Sequence, residues 1–186
     1  MPSIFTIIYT IWGLSELIIG RYMKSKETDK TKMDNNSLRL IWLGIVSAMA
    51  VSIFIASNCN FPISSYEYIS YVGLVVIVIG IVLRLSVIKA LGKFFTSDVT
   101  IMQDHQLKTD GFYHILRHPS YTASLLSFVG FGLSLNNWIS MFVIISVVLL
   151  VFINRIKIEE KALIGFFGQT YLDYKKSTKA LIPFVY

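Results

Sequence analysis

Five apolar runs, at residues 4–19, 40–57, 68–88, 121–135 and 138–153, constrain this chain more than any other feature of it. A helix of about 20 apolar residues crosses the ~30 Å hydrocarbon layer of a bilayer. Several such runs in one chain leave little room for a water-facing surface. The composition agrees: of 186 residues, 54% are hydrophobic and 15% charged, and the mean hydropathy is +0.63, outside the usual range of a soluble domain. The spacing predicts an all-α integral membrane protein with five transmembrane helices, folded as one domain over residues 1–186. Only Asn136-Asn137 separates the last two runs, which predicts a tight antiparallel hairpin. Both runs are short for an upright span, so local thinning of the bilayer or extension past its interface is expected.

The charges order these helices across the membrane. The net charge is +6, but the basic residues flank apolar runs and do not form one continuous patch, which argues against a nucleic-acid partner. Arg21, Lys24, Lys26, Lys30, Lys32 and Arg39 fall between the first two runs. Arg84, Lys89, Lys93, Lys108 and Arg117 surround the third connection, and Arg155, Lys157, Lys161, Lys175, Lys176 and Lys179 follow the fifth run. The connections at 58–67 and 136–137 carry none. By the positive-inside rule the N-terminus lies outside and the C-terminal region, 154–186, in the cytoplasm. No basic residue precedes the first run, so it reads as a retained helix and not a secretory signal. Glu16 near its inner end is expected to reach water or Arg21, and Arg84 to snorkel. Gly73 and Gly80, seven residues apart, share a helix face that admits a close neighbour. Cys59 is the sole cysteine, and His105, His114 and His118 are irregularly spaced, so neither a disulfide nor a metal site is expected.

Functional groups concentrate at the cytoplasmic boundary. Gly111–Tyr121 holds Tyr113, His114, Arg117, His118, Ser120 and Tyr121 just before the fourth span. Thr109-Asp110-Gly111 reads as the cap of a short helix through Leu116. Pro119 suits the first position of a helix, and the free N–H groups of that helix N-terminus suit an anion such as a carboxylate. The plainer reading is that Arg117 and His118 anchor the helix at the headgroups. Past the fifth span, Arg155 and Glu159 are four apart on a continuing helix, with Glu160 on a neighbouring face. As an i,i+4 pair in the weaker order they contribute only a few tenths of a kcal/mol. Ala162, Leu163, Phe166 and Phe167 continue an amphipathic stretch, and Gly168 is expected to end it.

Taken in order, Gly111-Phe-Tyr-His-Ile-Leu-Arg-His-Pro-Ser-Tyr121, Arg155-x-x-x-Glu159-Glu160, Phe166-Phe-Gly168-x-x-Tyr171-x-x-Tyr174 and Leu181-Ile-Pro183 resemble the C-terminal region of isoprenylcysteine carboxyl methyltransferases. The Arg-His-Pro element by itself also resembles pieces of phosphatidylethanolamine N-methyltransferases and membrane sterol reductases. The first hundred residues resemble the family only in being apolar spans. The resemblance implies S-adenosyl-L-methionine as cofactor, S-adenosyl-L-homocysteine as product, and a prenylated cysteine or lipid-like acceptor drawn from the bilayer, with no metal. It implies a cofactor region built from the connection between the third and fourth spans and the C-terminal tail. The cofactor contacts then fall on His105, Gln106, Leu107, Lys108, Tyr113, His118, Pro119, Ser120, Tyr121 and Glu159. Arg155 is implied as the catalytic, substrate-binding residue at the acceptor carboxylate. The other readings of the same features are a lipid-amine N-methyltransferase, a nicotinamide-dependent membrane reductase and a non-catalytic scaffold. A carboxylate is already ionised at neutral pH, whereas an amine must first lose a proton, and an arginine is a poor neighbour for it.

Overall fold

The structure, a computed structural model, describes residues 3–22, 37–95 and 106–182. The described chain is helical, with a single isolated β-bridge between Leu116 and Lys179. Its helices are α1 (Ile4–Tyr22), α2 (Ser37–Asn58), α3 (Tyr68–Leu91), a 3₁₀ turn (Gly92–Phe94), α4 (Phe112–Ile115), α5 (Pro119–Ser134), α6 (Trp138–Phe167) and α7 (Gln169–Ser177). Four of them, α1, α2, α3 and α6, are long and apolar enough to cross a membrane. The fourth apolar run forms α5, which has 16 residues and so a length of about 24 Å. Large apolar side chains such as Leu43, Phe54, Phe142 and Leu150 stand exposed on the outer faces of the helices. Lipid can cover such surfaces, and water cannot do so at low cost.

Small residues bring α3 and α5 together. A Cβ added at Gly73 would stand 2.4 Å from the Ser134 nitrogen and 2.5 Å from the Gly130 oxygen; one at Gly80 would stand 2.2 Å from Ser127 Oγ. The shared glycine face thus lets two backbones touch, which gains dispersion contacts where lipid offers no hydrophobic drive. Around this pair Trp12, Phe128, Phe131, Ile144, Val148 and Phe152 form the core. Trp12 lies edge-on to Phe128 at 4.9 Å, and Tyr9 donates or accepts a 2.6 Å bond with Ser134 Oγ, so α1 is held against α5. On the other side α2 packs on α6, where Ser140 Oγ donates to the Ser52 oxygen at 2.7 Å.

The two connections without basic residues meet at one end. Asn136, at φ +46°, accepts from the Ser64 N–H at 3.0 Å and donates to its oxygen at 2.9 Å. Asn137 caps α6 by accepting from the Ser140 N–H, and its amide donates to the Cys59 oxygen at 2.6 Å. The expected hairpin between the last two apolar runs is present. At the opposite end α6 runs on past its apolar part to Phe167, and Gly168, at φ +56°, closes it as expected. The short helix before Pro119 is smaller than expected. Gly111 precedes it with φ +59° and no side-chain cap, and it ends at Ile115 because Leu116 turns extended to pair with Lys179.

Gly73→Ala should lower the thermal unfolding midpoint in detergent, with a cost of about 1–3 kcal/mol for forcing α3 off α5. Gly13 has nothing within 4 Å of an added Cβ, so Gly13→Ala should be neutral or mildly stabilising. Equal midpoints for the two variants would show that the α3–α5 contact is not tight.

Candidate active site

The segment after α7 builds the site by returning alongside the residues that lead into α5. The Arg117 N–H donates to the Lys179 oxygen at 2.8 Å and the His118 N–H to the Ala180 oxygen at 3.0 Å. Lys179 N–H reaches the Ile115 oxygen at 3.3 Å, and Thr122 Oγ1 donates to the Leu181 oxygen at 2.5 Å. These bonds satisfy the backbone of a segment that has no helix of its own. They also fix His118 as the residue ahead of α5, with Pro119 in its first turn.

Two successive carboxylates on α6 then draw in Arg117, His118, Arg155 and Lys175. Glu160, 7% exposed, takes Arg117 Nε at 2.7 Å and Lys175 Nζ at 2.5 Å. Arg117 Nη1 also donates to the Lys175 oxygen at 3.2 Å and to the Thr178 oxygen, so it is a buried tie between α6 and the C-terminal segment and not a headgroup anchor. Glu159 takes Arg155 Nε at 3.1 Å and the Tyr121 hydroxyl at 2.5 Å. His118 stands between the two, its Nδ1 3.4 Å from Glu159 and its Nε2 3.6 Å from Glu160. Burial by itself opposes a charge on this imidazole. The paired carboxylates outweigh it, and the pKa is raised above the ordinary 6.5.

A cavity of about 240 Å³ opens beside this cluster. Gln106, Leu107, Lys108, Tyr113, His118, Pro119, Ser120, Tyr121, Arg155 and Glu159 all line it. Every site residue expected from the sequence is there except His105, which lies outside the described residues. His114 is exposed and is not part of the wall. The polar end also holds two tyrosines of α7 that carried no expected role. Tyr174 donates to the Tyr113 oxygen at 2.5 Å, and burial pushes its pKa up to about 12. Tyr171 is 1% exposed, and its hydroxyl has no hydrogen-bond partner among the described residues. Burial, and then the charge of Glu160, push its pKa up as well. Much of the remaining wall is apolar: Ile19 and Gly20 of α1, Ile41, Trp42 and Ile45 of α2, Phe128 of α5 and Phe152 of α6.

Glu16 and Arg84 correct the reading of each as a solitary charge. Arg84 Nη2 lies 3.0 Å from Glu16 Oε2, and both side chains are largely buried on the cavity wall. Packing of α1 on α3 brings them together, so Glu16 pairs with Arg84 where water or Arg21 was expected. Two charges facing one another across separate spans leave no sequence spacing to detect. The only available signal was that both lie inside apolar runs.

Known proteins resemble this chain in sequence and fold. A family model described as the isoprenylcysteine carboxyl methyltransferase (ICMT) family matches residues 72–165. Protein-S-isoprenylcysteine O-methyltransferase B of Arabidopsis thaliana is 38% identical over 143 residues, covering 74% of this chain and 73% of that one. The Schizosaccharomyces pombe protein-S-isoprenylcysteine O-methyltransferase is 34% identical over 128 residues, covering 68% of this chain and 53% of its own. Among solved structures, the eukaryotic intramembrane Ras methyltransferase ICMT superposes with a TM-score of 0.74 at 29% identity. That match covers 97% of this chain and 65% of the longer one.

A bundle of membrane-length helices with a buried, charge-paired cavity at one end defines a multi-pass integral membrane enzyme. The chain belongs to the isoprenylcysteine carboxyl methyltransferase family.

The raised pKa of His118 gives a test of the charge cluster. Its stabilising effect is fully present below the unfolded-state value of about 6.5 and is lost as pH rises through the higher folded-state value. The unfolding midpoint should therefore fall as pH is raised above about 6.5, and His118→Gln should flatten that fall. An identical pH slope in the two proteins would remove His118 from the ion-pair cluster.

Proposed function

We propose that this chain transfers a methyl group from S-adenosylmethionine to the carboxylate of an isoprenylated cysteine, on a protein C-terminus or a small analogue, at the cytoplasmic membrane face. The observation that carries this reading is the two-part cavity. Glu159, His118, Tyr113 and Tyr121 line its polar part, and Ile41, Trp42, Phe128 and Phe152 its apolar part. A polar nucleoside cofactor and a lipid-borne acceptor need such a pair of surfaces side by side.

The residues present fit the cofactor's chemistry. Glu159 can accept from ribose hydroxyls or the adenine amine, and the Tyr171 hydroxyl, without a hydrogen-bond partner among the described residues, offers a further polar contact. The first turn of α5 suits the methionine carboxylate, with Gln106, Leu107 and Lys108 contributing backbone groups from the preceding connection. When bound, S-adenosylmethionine supplies an electrophilic methyl group. The acceptor carboxylate is ionised at neutral pH, so no residue has to remove a proton. The work left to this chain is alignment and exclusion of water. Arg155, on the wall between Phe152 and Glu159, orients the acceptor carboxylate, while the apolar wall between α1 and α2 receives the isoprenoid chain. A cationic amine would be repelled at the same place.

In this reading α5 also spans the membrane, as the fourth of five spans in chain order. Enclosed by α3 and α6, it crosses with local thinning of the bilayer. The N-terminus lies outside, and the basic end of the bundle, with the cavity, faces the cytoplasm.

Glu159→Ala should weaken S-adenosylhomocysteine binding about tenfold to a hundredfold, as expected for the loss of a charge-assisted hydrogen bond. Arg155→Ala should cut turnover of a prenylated cysteine while leaving that affinity nearly intact, and Arg155→Lys should restore only part of it. Calorimetry and steady-state kinetics on the same preparations check both; normal turnover in Arg155→Ala rules out its acceptor role. For the topology, exposed Cys59 should react with an impermeant thiol reagent from outside intact cells. Labelling that requires access to the cytoplasmic side would reverse the orientation.

A further inference from the structure

We propose that Arg84, held by Glu16, is a second carboxylate-binding residue, which shares the acceptor's carboxylate with Arg155. The proposal rests on the acid-acceptor reading above and adds a residue to it.

The pair is poorly explained as a structural tie. Burying two charges inside apolar helices is costly, and a buried ion pair can commonly be replaced by apolar side chains with no loss of stability. Here α1 is already held by the Trp12 contacts with Phe128 and Phe131 and by the Tyr9–Ser134 bond. The donors of Arg84 are also incompletely used. One Nη reaches Glu16 at 3.0 Å and the other the Ser120 oxygen at a long 3.3 Å. Its buried Nε has no hydrogen-bond partner among the described residues. An unsatisfied buried donor is costly unless something bound there completes it.

Its location points to the acceptor. Arg84 and Glu16 line the cavity with Ile19, Ile41 and Trp42, the part assigned to the isoprenoid chain. Through Ser120, Arg84 is bonded to the residue beside Tyr121, whose hydroxyl holds Glu159 and with it Arg155. Arg155 is 1% exposed and already engaged by Glu159, so it offers an incoming carboxylate only part of its fork. A second guanidinium supplies the remaining donors, with Glu16 as the counter-charge that the acceptor displaces or shares.

The full-length protein in lipid nanodiscs tests this with N-acetyl-S-farnesylcysteine and its neutral carboxamide as probes. Arg84→Gln should raise the KM for the acid about tenfold to a hundredfold, leave binding of the carboxamide unchanged and leave S-adenosylhomocysteine affinity intact. Glu16→Gln should move the acid KM the other way, because the guanidinium loses its competing carboxylate. The exchange Glu16→Arg with Arg84→Glu should not rescue the acid KM. If Arg84→Gln does not fold, Arg84→Lys carries the test, with a severalfold rise expected from losing the planar fork. An unchanged acid KM, equal weakening of acid and carboxamide, or rescue by the exchange would each reduce the pair to a structural tie. Failure of the unmodified protein to distinguish acid from carboxamide would instead reject the acid-acceptor reading itself.

Discussion

Neighbouring carboxylates at the end of an apolar helix set the terms for this whole end of the molecule. Glu159 and Glu160 follow the long apolar part of α6, and neither can be withdrawn from water without a partner, since an uncompensated buried charge is far more costly than a paired one. Their partners come from everywhere in the C-terminal half: Arg155 on the same helix, Arg117 and His118 ahead of α5, Tyr121 within it, Lys175 on α7. Satisfying two acids thereby dictates where α5 begins, where α7 lies and why residues 178–181 return beside 115–118.

This arrangement is affordable only because α5 can sit deep among its neighbours. Glycines at 73 and 80 let α3 approach its backbone, and Ser124, Ser127 and Ser134 are buried without demanding wide spacing. A helix placed this way need not present a full-length lipid face. Its first turn is carried into the wall of the cavity, where backbone donors and the aromatic side chains of the C-terminal helices can face a common ligand.

The cavity has two kinds of wall. Its polar wall is made by residues that answer the α6 carboxylates, and its apolar wall by spans that face lipid elsewhere. Glu16 and Arg84 lie on that wall as the charged pair contributed by the N-terminal spans. The N-terminal half, where the family match begins at residue 72, therefore supplies charged as well as apolar groups to the cavity wall.

The sequence by itself determined the apolar runs, the close-packing face of Gly73 and Gly80, the hairpin at Asn136-Asn137 and the end of α6 at Gly168, because each follows from length, periodicity or a backbone conformation set within a few residues. It also determined the motif residues that line the cavity, since they lie within two short stretches. Only the tertiary structure decided that Arg117 is a buried tie, that His118 lies between both carboxylates, that Tyr171 and Tyr174 close the polar end, and that Glu16 meets Arg84. Those relations join residues from separate parts of the chain, Glu16 and Arg84 being 68 positions apart. No local period encodes such a contact; it arises when packing removes water from both charges at once, leaving each to find the other.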